Sequence, residues 1–120
     1  MTDNVRRGRD AESRAADYLM KKGYKIIRRN YQIRGGEIDL IAKDGDWLVF
    51  IEVKMRSSDA FGTGAEAVTK KKQQAIVRTA CRYIYENNCA NSPMRFDVLE
   101  LTVREGRFYA RHIINAFLAN

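Results

Sequence analysis

The stretch Gly35-Gly36-Glu37-Ile38-Asp39-Leu40-Ile41-Ala42-Lys43-Asp44-Gly45-Asp46-Trp47-Leu48-Val49-Phe50-Ile51-Glu52-Val53-Lys54 carries two β-rich runs around an Asp-Gly turn. An Asp-Gly step between such runs is the strongest short-range hairpin signal. Strands of Ile, Leu, Val and Phe are usually buried, where an unpaired carboxylate is costly, so Asp39, Glu52 and Lys54 need a reason to be there. Side chains alternate across a strand, which puts Glu52 and Lys54 on one face together with Leu48 and Phe50. If Asp44 pairs with Trp47 across a Gly45-Asp46 loop, Asp39 falls opposite Glu52 and Glu37 opposite Lys54. A loop of Asp44-Gly45 slips the register by two residues and leaves Asp39 diagonal to Glu52 on the same face. Only an odd-length loop without a compensating bulge separates the two acids.

Two carboxylates at neighbouring strand positions are oxygen ligands for a hard divalent cation, and Mg²⁺ typically takes one or two of them with water and substrate phosphate. A lysine one pleat away can hold an attacking water or neutralise a phosphate oxygen. The spacing fits metal-assisted phosphodiester hydrolysis. It fits equally a cross-strand ion pair on a solvated sheet face, which contributes little to stability.

Asp39 followed by Glu52-Val53-Lys54 on the next strand resembles the PD-(D/E)xK signature of the restriction-endonuclease-like nuclease superfamily. More narrowly, Gly36-Glu37-Ile38-Asp39-Leu40-Ile41-Ala42 with Phe50-Ile51-Glu52-Val53-Lys54-Met55-Arg56 resembles the YraN-type small bacterial proteins, themselves similar to archaeal Holliday-junction resolvases. The similarity runs from about Gly8 to Leu101, and Ile38 stands where the superfamily name implies proline. The resemblance implies an α/β, restriction-endonuclease-like fold with a mixed five-stranded sheet flanked by helices in the order αβββαββ. It also implies a Mg²⁺- or Mn²⁺-dependent endodeoxyribonuclease, with DNA, including branched or Holliday-junction DNA, as the partner. Asp39 and Glu52 would bind metal and Lys54 would position water or stabilise charge. In resolvase-like members a first-helix glutamate joins the metal site, and Glu12 matches that position. Junction cleavage needs paired active sites and hence a homodimer. The competing reading is a non-catalytic DNA-binding or recruitment module that keeps the nuclease scaffold.

Outward from the hairpin, Ala11, Ala15, Ala16, Tyr18 and Leu19 recur at helical spacing and predict a helix from about Gly8 to Lys22, ended by Gly23. Glu12 lies at the amino end of its sheet-facing stripe, where it could also snorkel outward or favour the helix N-terminus. Tyr24 to Tyr31 reads as a strand. Gly35-Gly36 would let a nucleic-acid strand approach closely, or simply make a turn. Met55 to Gly64 reads as a loop leaving the site, and a second helix is expected over Glu66 to Asn88, burying Ile76, Val77, Ala80, Cys81 and Ile84. Lys70, Lys71 and Lys72 load its opening turn against the helix dipole, a placement that a phosphate backbone would explain. With Arg34, Arg56 and Gln73 they are the candidate nucleic-acid contacts. Arg95 to Val103 and Arg107 to Ile114 are further strands, with an Arg95–Asp97 ion pair, and Asn115 to Asn120 is a short helix or tail.

The 120 residues, 45% of them hydrophobic, suffice for one domain spanning 1–120 with its own core. Neither a charged-then-apolar leader nor an apolar run of roughly 18 residues is present, so the expectation is a soluble, cytoplasmic protein without a membrane partner. A net charge of +7 and a pI near 9.6 favour a polyanionic partner, nucleic acid first. Cys81 and Cys89, eight apart in the expected helix, are separated by about 12 Å of rise and cannot bridge. One histidine and no CxxC argue against a zinc site, and His112 reads as structural.

Overall fold

Asp44 pairs with Trp47 across the Asp-Gly turn, and the antiparallel ladder runs from there to Leu40 opposite Ile51. Gly45 occupies the left-handed region at φ +59°, which a tight turn of this kind demands. In the computed structural model, which describes residues 3–56 and 68–119, this hairpin is the middle of a five-stranded sheet. Its elements are α1 (Asp3–Lys21), β1 (Lys25–Ile33), β2 (Gly36–Asp44), β3 (Trp47–Arg56), α2 (Lys70–Glu86), β4 (Met94–Arg104) and β5 (Arg107–Phe117). The strands stand side by side in chain order, with β3 and β4 parallel and the other pairs antiparallel. A parallel pair needs a crossover long enough to hold a helix, and α2 lies in that crossover. The fold is therefore α/β with a mixed sheet in the expected order αβββαββ.

Each face of the sheet carries its own core. On one, Ala11, Ala15, Ala16 and Leu19 of α1 pack against Leu40, Ala42, Val49, Ile51, Leu99 and Leu101. On the other, Ile76, Ala80 and Tyr83 of α2 pack against Ile41, Leu48, Phe50, Phe96 and Val98. Covered on both sides, β3 and β4 have the long apolar runs that such strands require. Among the described residues no helix is long and apolar enough to cross a membrane.

The helices differ in detail from the periodicity reading. α1 begins at Asp3, earlier than Gly8, and α2 begins at Lys70, where the Thr69 side chain caps the Lys72 N–H at 3.2 Å. Its fully buried stripe is Ile76, Thr79, Ala80 and Tyr83, whereas Cys81 is exposed. The cause is Gly36: a Cβ built there would collide with Thr79 Oγ1 and lie 3.2 Å from the Ala75 carbonyl, so α2 is seated on bare β2 backbone. Thr79 is tolerated in that contact because its hydroxyl donates to the Ala75 carbonyl at 2.7 Å. Close packing of helix on strand thus explains Gly36, and the neighbouring turn explains Gly35, at φ +87°. Cys89 lies beyond the end of α2, and both cysteines are free. Met55 and Arg56 close β3 and are not loop; the rest of the expected loop, and the expected helix start at Glu66, lie outside the described residues.

At the other extreme of the chain the strand continues through Phe117, which stacks on Phe96 with ring centroids 5.1 Å apart, where a short helix or tail was expected. Arg95 and Asp97 form the expected ion pair at 3.1 Å. Asp97 also takes hydrogen bonds from His112 Nε2 at 2.7 Å and the Asn115 N–H at 3.1 Å. Burial alone would raise the Asp97 pKa, but these donors outweigh it and hold the carboxyl below its ordinary range. His112 is thereby a satisfied structural residue.

Gly36→Ala is expected to lower the free energy of unfolding by about 1–3 kcal/mol, the usual cost of overpacking. Urea denaturation would show it as an earlier midpoint at unchanged slope.

Candidate carboxylate site at the open end of the hairpin

The β2–β3 ladder stops at Leu40 and Ile51, and the next donor on β3, the Val53 N–H, is taken at 2.8 Å by Asp39 Oδ2 in place of a backbone carbonyl. A buried N–H must find an acceptor, and here a side chain supplies it. Strict alternation would put Ile38 and Leu40 on the same face. Instead Ile38 belongs to the α2-side core and Leu40 to the α1-side core, so β2 turns over at Asp39. Asp39 thus lies between the two layers, within reach of both. Glu52 projects toward α2 and comes within hydrogen-bonding reach of Asp39, as the hairpin register implied. From the other side Glu12 of α1 also reaches Asp39, and it is hydrogen-bonded by Asn30. The three acids form an open chain, Glu12–Asp39–Glu52; among the described residues no three His, Cys, Asp or Glu side chains form a ready metal cage.

Burial pushes the Glu52 carboxyl up to about 8, and the adjacent Asp39 adds to the rise while Lys72 opposes it. Asp39 is raised by burial too, against the hydrogen bonds from Val53 and Glu52. Glu12 is raised by burial and by Asp39, with Asn30 acting the other way. Without a counter-ion, the pair therefore favours keeping a proton between its two carboxyls. The donors are all carboxylate oxygens, a set suited to a hard cation such as Mg²⁺ or Mn²⁺, whose charge would replace that proton. The residues fit such an ion.

Lys54 is exposed and lines, with Glu52, Thr69 and Lys72, a cleft of about 510 Å³. Lys72, half-buried in the first turn of α2, also borders a second cleft of about 350 Å³ containing Gly36 and Glu37. Its charge acts on both Asp39 and Glu52. Glu37 accepts a hydrogen bond from Gln32 at 3.2 Å. Arg34 is exposed in the β1–β2 turn, and Lys70 and Lys71 are exposed at the start of α2. Gln73 donates to the Val68 carbonyl at 3.0 Å, tying down the entry to the helix. Arg56 is half-buried beside the fully buried Glu100, 3.8 Å away. The reading by spacing overlooked Asn30, whose one signal was an asparagine inside a strand-like run, and the electrostatic role of Lys72.

A family model described as "Uncharacterised protein family UPF0102" matches residues 11–101, a span holding every acid of the site. The chain is 46% identical over 108 residues to a UPF0102 protein of Carboxydothermus hydrogenoformans, covering 90% of this chain and 92% of that one. It is 45% identical over 115 residues to one from Clostridioides difficile, covering 96% and 99%. With one from Hahella chejuensis the identity is 51% over 92 residues, covering 77% and 74%.

A carboxyl whose folded pKa is raised binds more protons folded than unfolded, so stability falls as pH rises between the ordinary 4.5 and about 8. Thermal unfolding in EDTA is expected to come on the order of 5 °C earlier at pH 8.5 than at pH 6. Glu52→Gln should flatten that dependence, and Mn²⁺ should restore stability at the higher pH.

Proposed function

The chain belongs to the uncharacterised protein family UPF0102, and on that footing we propose that it is a Mg²⁺- or Mn²⁺-dependent endodeoxyribonuclease acting on branched DNA. The observation that carries the reading is the meeting of Asp39 and Glu52, two half-buried carboxylates whose proximity is costly without a cation. The element order, the one that the resemblance to the nuclease superfamily implies, supports it.

In this proposal Asp39 and Glu52 hold the metal ion, with Glu12 completing its ligands from the α1 side. When bound, the ion supplies Lewis acidity toward a phosphodiester oxygen and lowers the pKa of a coordinated water. Lys54, beside Glu52 on the cleft wall, orients the attacking water and offsets charge that develops on the phosphate. Lys72 offsets the carboxylate charge from above. Lys70, Lys71, Arg34 and Arg56 engage the flanking phosphates, and Gln73 steadies the start of the helix that presents the lysines. So small a chain has little surface for reading base edges, so substrate shape directs it. Resolving a four-way junction requires two opposed cuts, and therefore two copies of the chain on one DNA.

The open chain of carboxylates favours a second reading, a non-catalytic DNA-binding or recruitment module. Both readings entail salt-sensitive binding, so cleavage decides between them. Purified protein with Mn²⁺ or Mg²⁺ is expected to cut flapped or four-way DNA, and Asp39→Asn or Glu52→Gln to slow cutting at least about 100-fold with binding retained. Lys54→Ala should lower kcat more than it raises KM. Wild-type protein that cuts no linear, flapped or four-way DNA with either metal overturns the enzyme reading. A monomer on four-way DNA at working concentration overturns the junction-resolving version alone.

A further inference from the structure

On β1, Arg29 stands opposite Leu40 and Tyr31 opposite Ile38, which places Asn30 directly across from Asp39. Asn30 has φ +52°, a left-handed conformation inside a strand, which glycine adopts freely and asparagine more readily than most residues. The turn-over of β2 at Asp39 therefore has a partner in β1: Tyr31 is buried in the α2-side core although Arg29 faces a residue of the α1-side core. Freed from the ladder's alternation, the Asn30 side chain reaches the Glu12 carboxylate on α1. Asn30 itself is exposed and contributes nothing to either core. Glycine would serve the backbone geometry as well, so the amide can be removed without disturbing it.

We propose that Asn30 is a positioning residue of the carboxylate site, holding the Glu12 carboxylate turned toward Asp39 so that a divalent cation meets three acids. This rests on the reading of Asp39 and Glu52 as a divalent-cation site. Asn30 acts through Glu12 and touches neither the cation nor DNA. Glu12 rides on a helix and Asp39 on a strand, and without a tie the half-buried glutamate is free to turn to solvent.

Mn²⁺ affinity of the protein without DNA, measured by calorimetry, tests this in four variants. Asn30→Gly keeps the left-handed backbone and removes only the amide; it should unfold at nearly the wild-type temperature and bind Mn²⁺ on the order of 10-fold more weakly. Asn30→Asp, of the same shape but without the N–H donor, should bind no better than Asn30→Gly despite its added negative charge. In a Glu12→Ala background, which weakens binding by itself, adding Asn30→Gly should change nothing further. Wild-type affinity in Asn30→Gly, or an equal further loss in the Glu12→Ala background, overturns the role given to Asn30 and leaves the cation site standing. No Mn²⁺ binding by the wild-type protein overturns the cation site and the Asn30 role with it.

Discussion

One backbone hydrogen bond that is not made organises the site. The ladder between β2 and β3 ends at Leu40 and Ile51, and the Val53 N–H that follows is answered by the Asp39 carboxylate. Had β2 continued in regular pleat, its own carbonyl would have satisfied that donor, and Asp39 would have stood on the α2 face alone. The interruption turns the carboxylate into the plane of the sheet, where acids from both layers can meet it. The same donor makes the position tolerable, since burial raises the pKa of Asp39 and the Val53 N–H lowers it.

Much of this was legible in the residues. The Asp-Gly turn determined the hairpin register, and the register required Asp39 and Glu52 to converge. Alternation along β3 put Glu52 and Lys54 on the face of Leu48 and Phe50, where they are found. The stripe of small residues in α1 identified its buried side. What was not legible came from events that no periodicity encodes. Nothing in the order of Ile38, Asp39 and Leu40 announces that the strand turns over between them. The rotation of α2, which buries Thr79 and exposes Cys81, follows from a close approach to Gly36 on a strand far away in the chain. The extension of β5 to Phe117 depends on aromatic stacking across the sheet. Asn30 could be recognised only once its backbone conformation and its neighbour on α1 were known.

The basic first turn of α2 fits the same picture. Three consecutive lysines at a helix start oppose the helix dipole, with no acidic side chain in that turn to compensate. Asp39 and Glu52, half-buried between β2, β3 and α2, lie within range of the Lys72 charge. Lys72 thus offsets part of the cost of placing the acids between the layers, and the outer two, Lys70 and Lys71, stay exposed.

The bare backbone at Gly36 has a consequence for acidity. Lys72, Ala75 and Thr79 lie along one line of α2, and the last two rest on Gly36, so the height of the helix over β2 also sets how near the Lys72 ammonium hangs above Asp39 and Glu52. A single missing methyl group acts as a spacer gauge for that charge. Packing at one spot and proton affinity at another therefore share one mechanical coordinate: lifting α2 from the sheet withdraws the Lys72 charge and admits water, two changes that pull the acids in opposite directions.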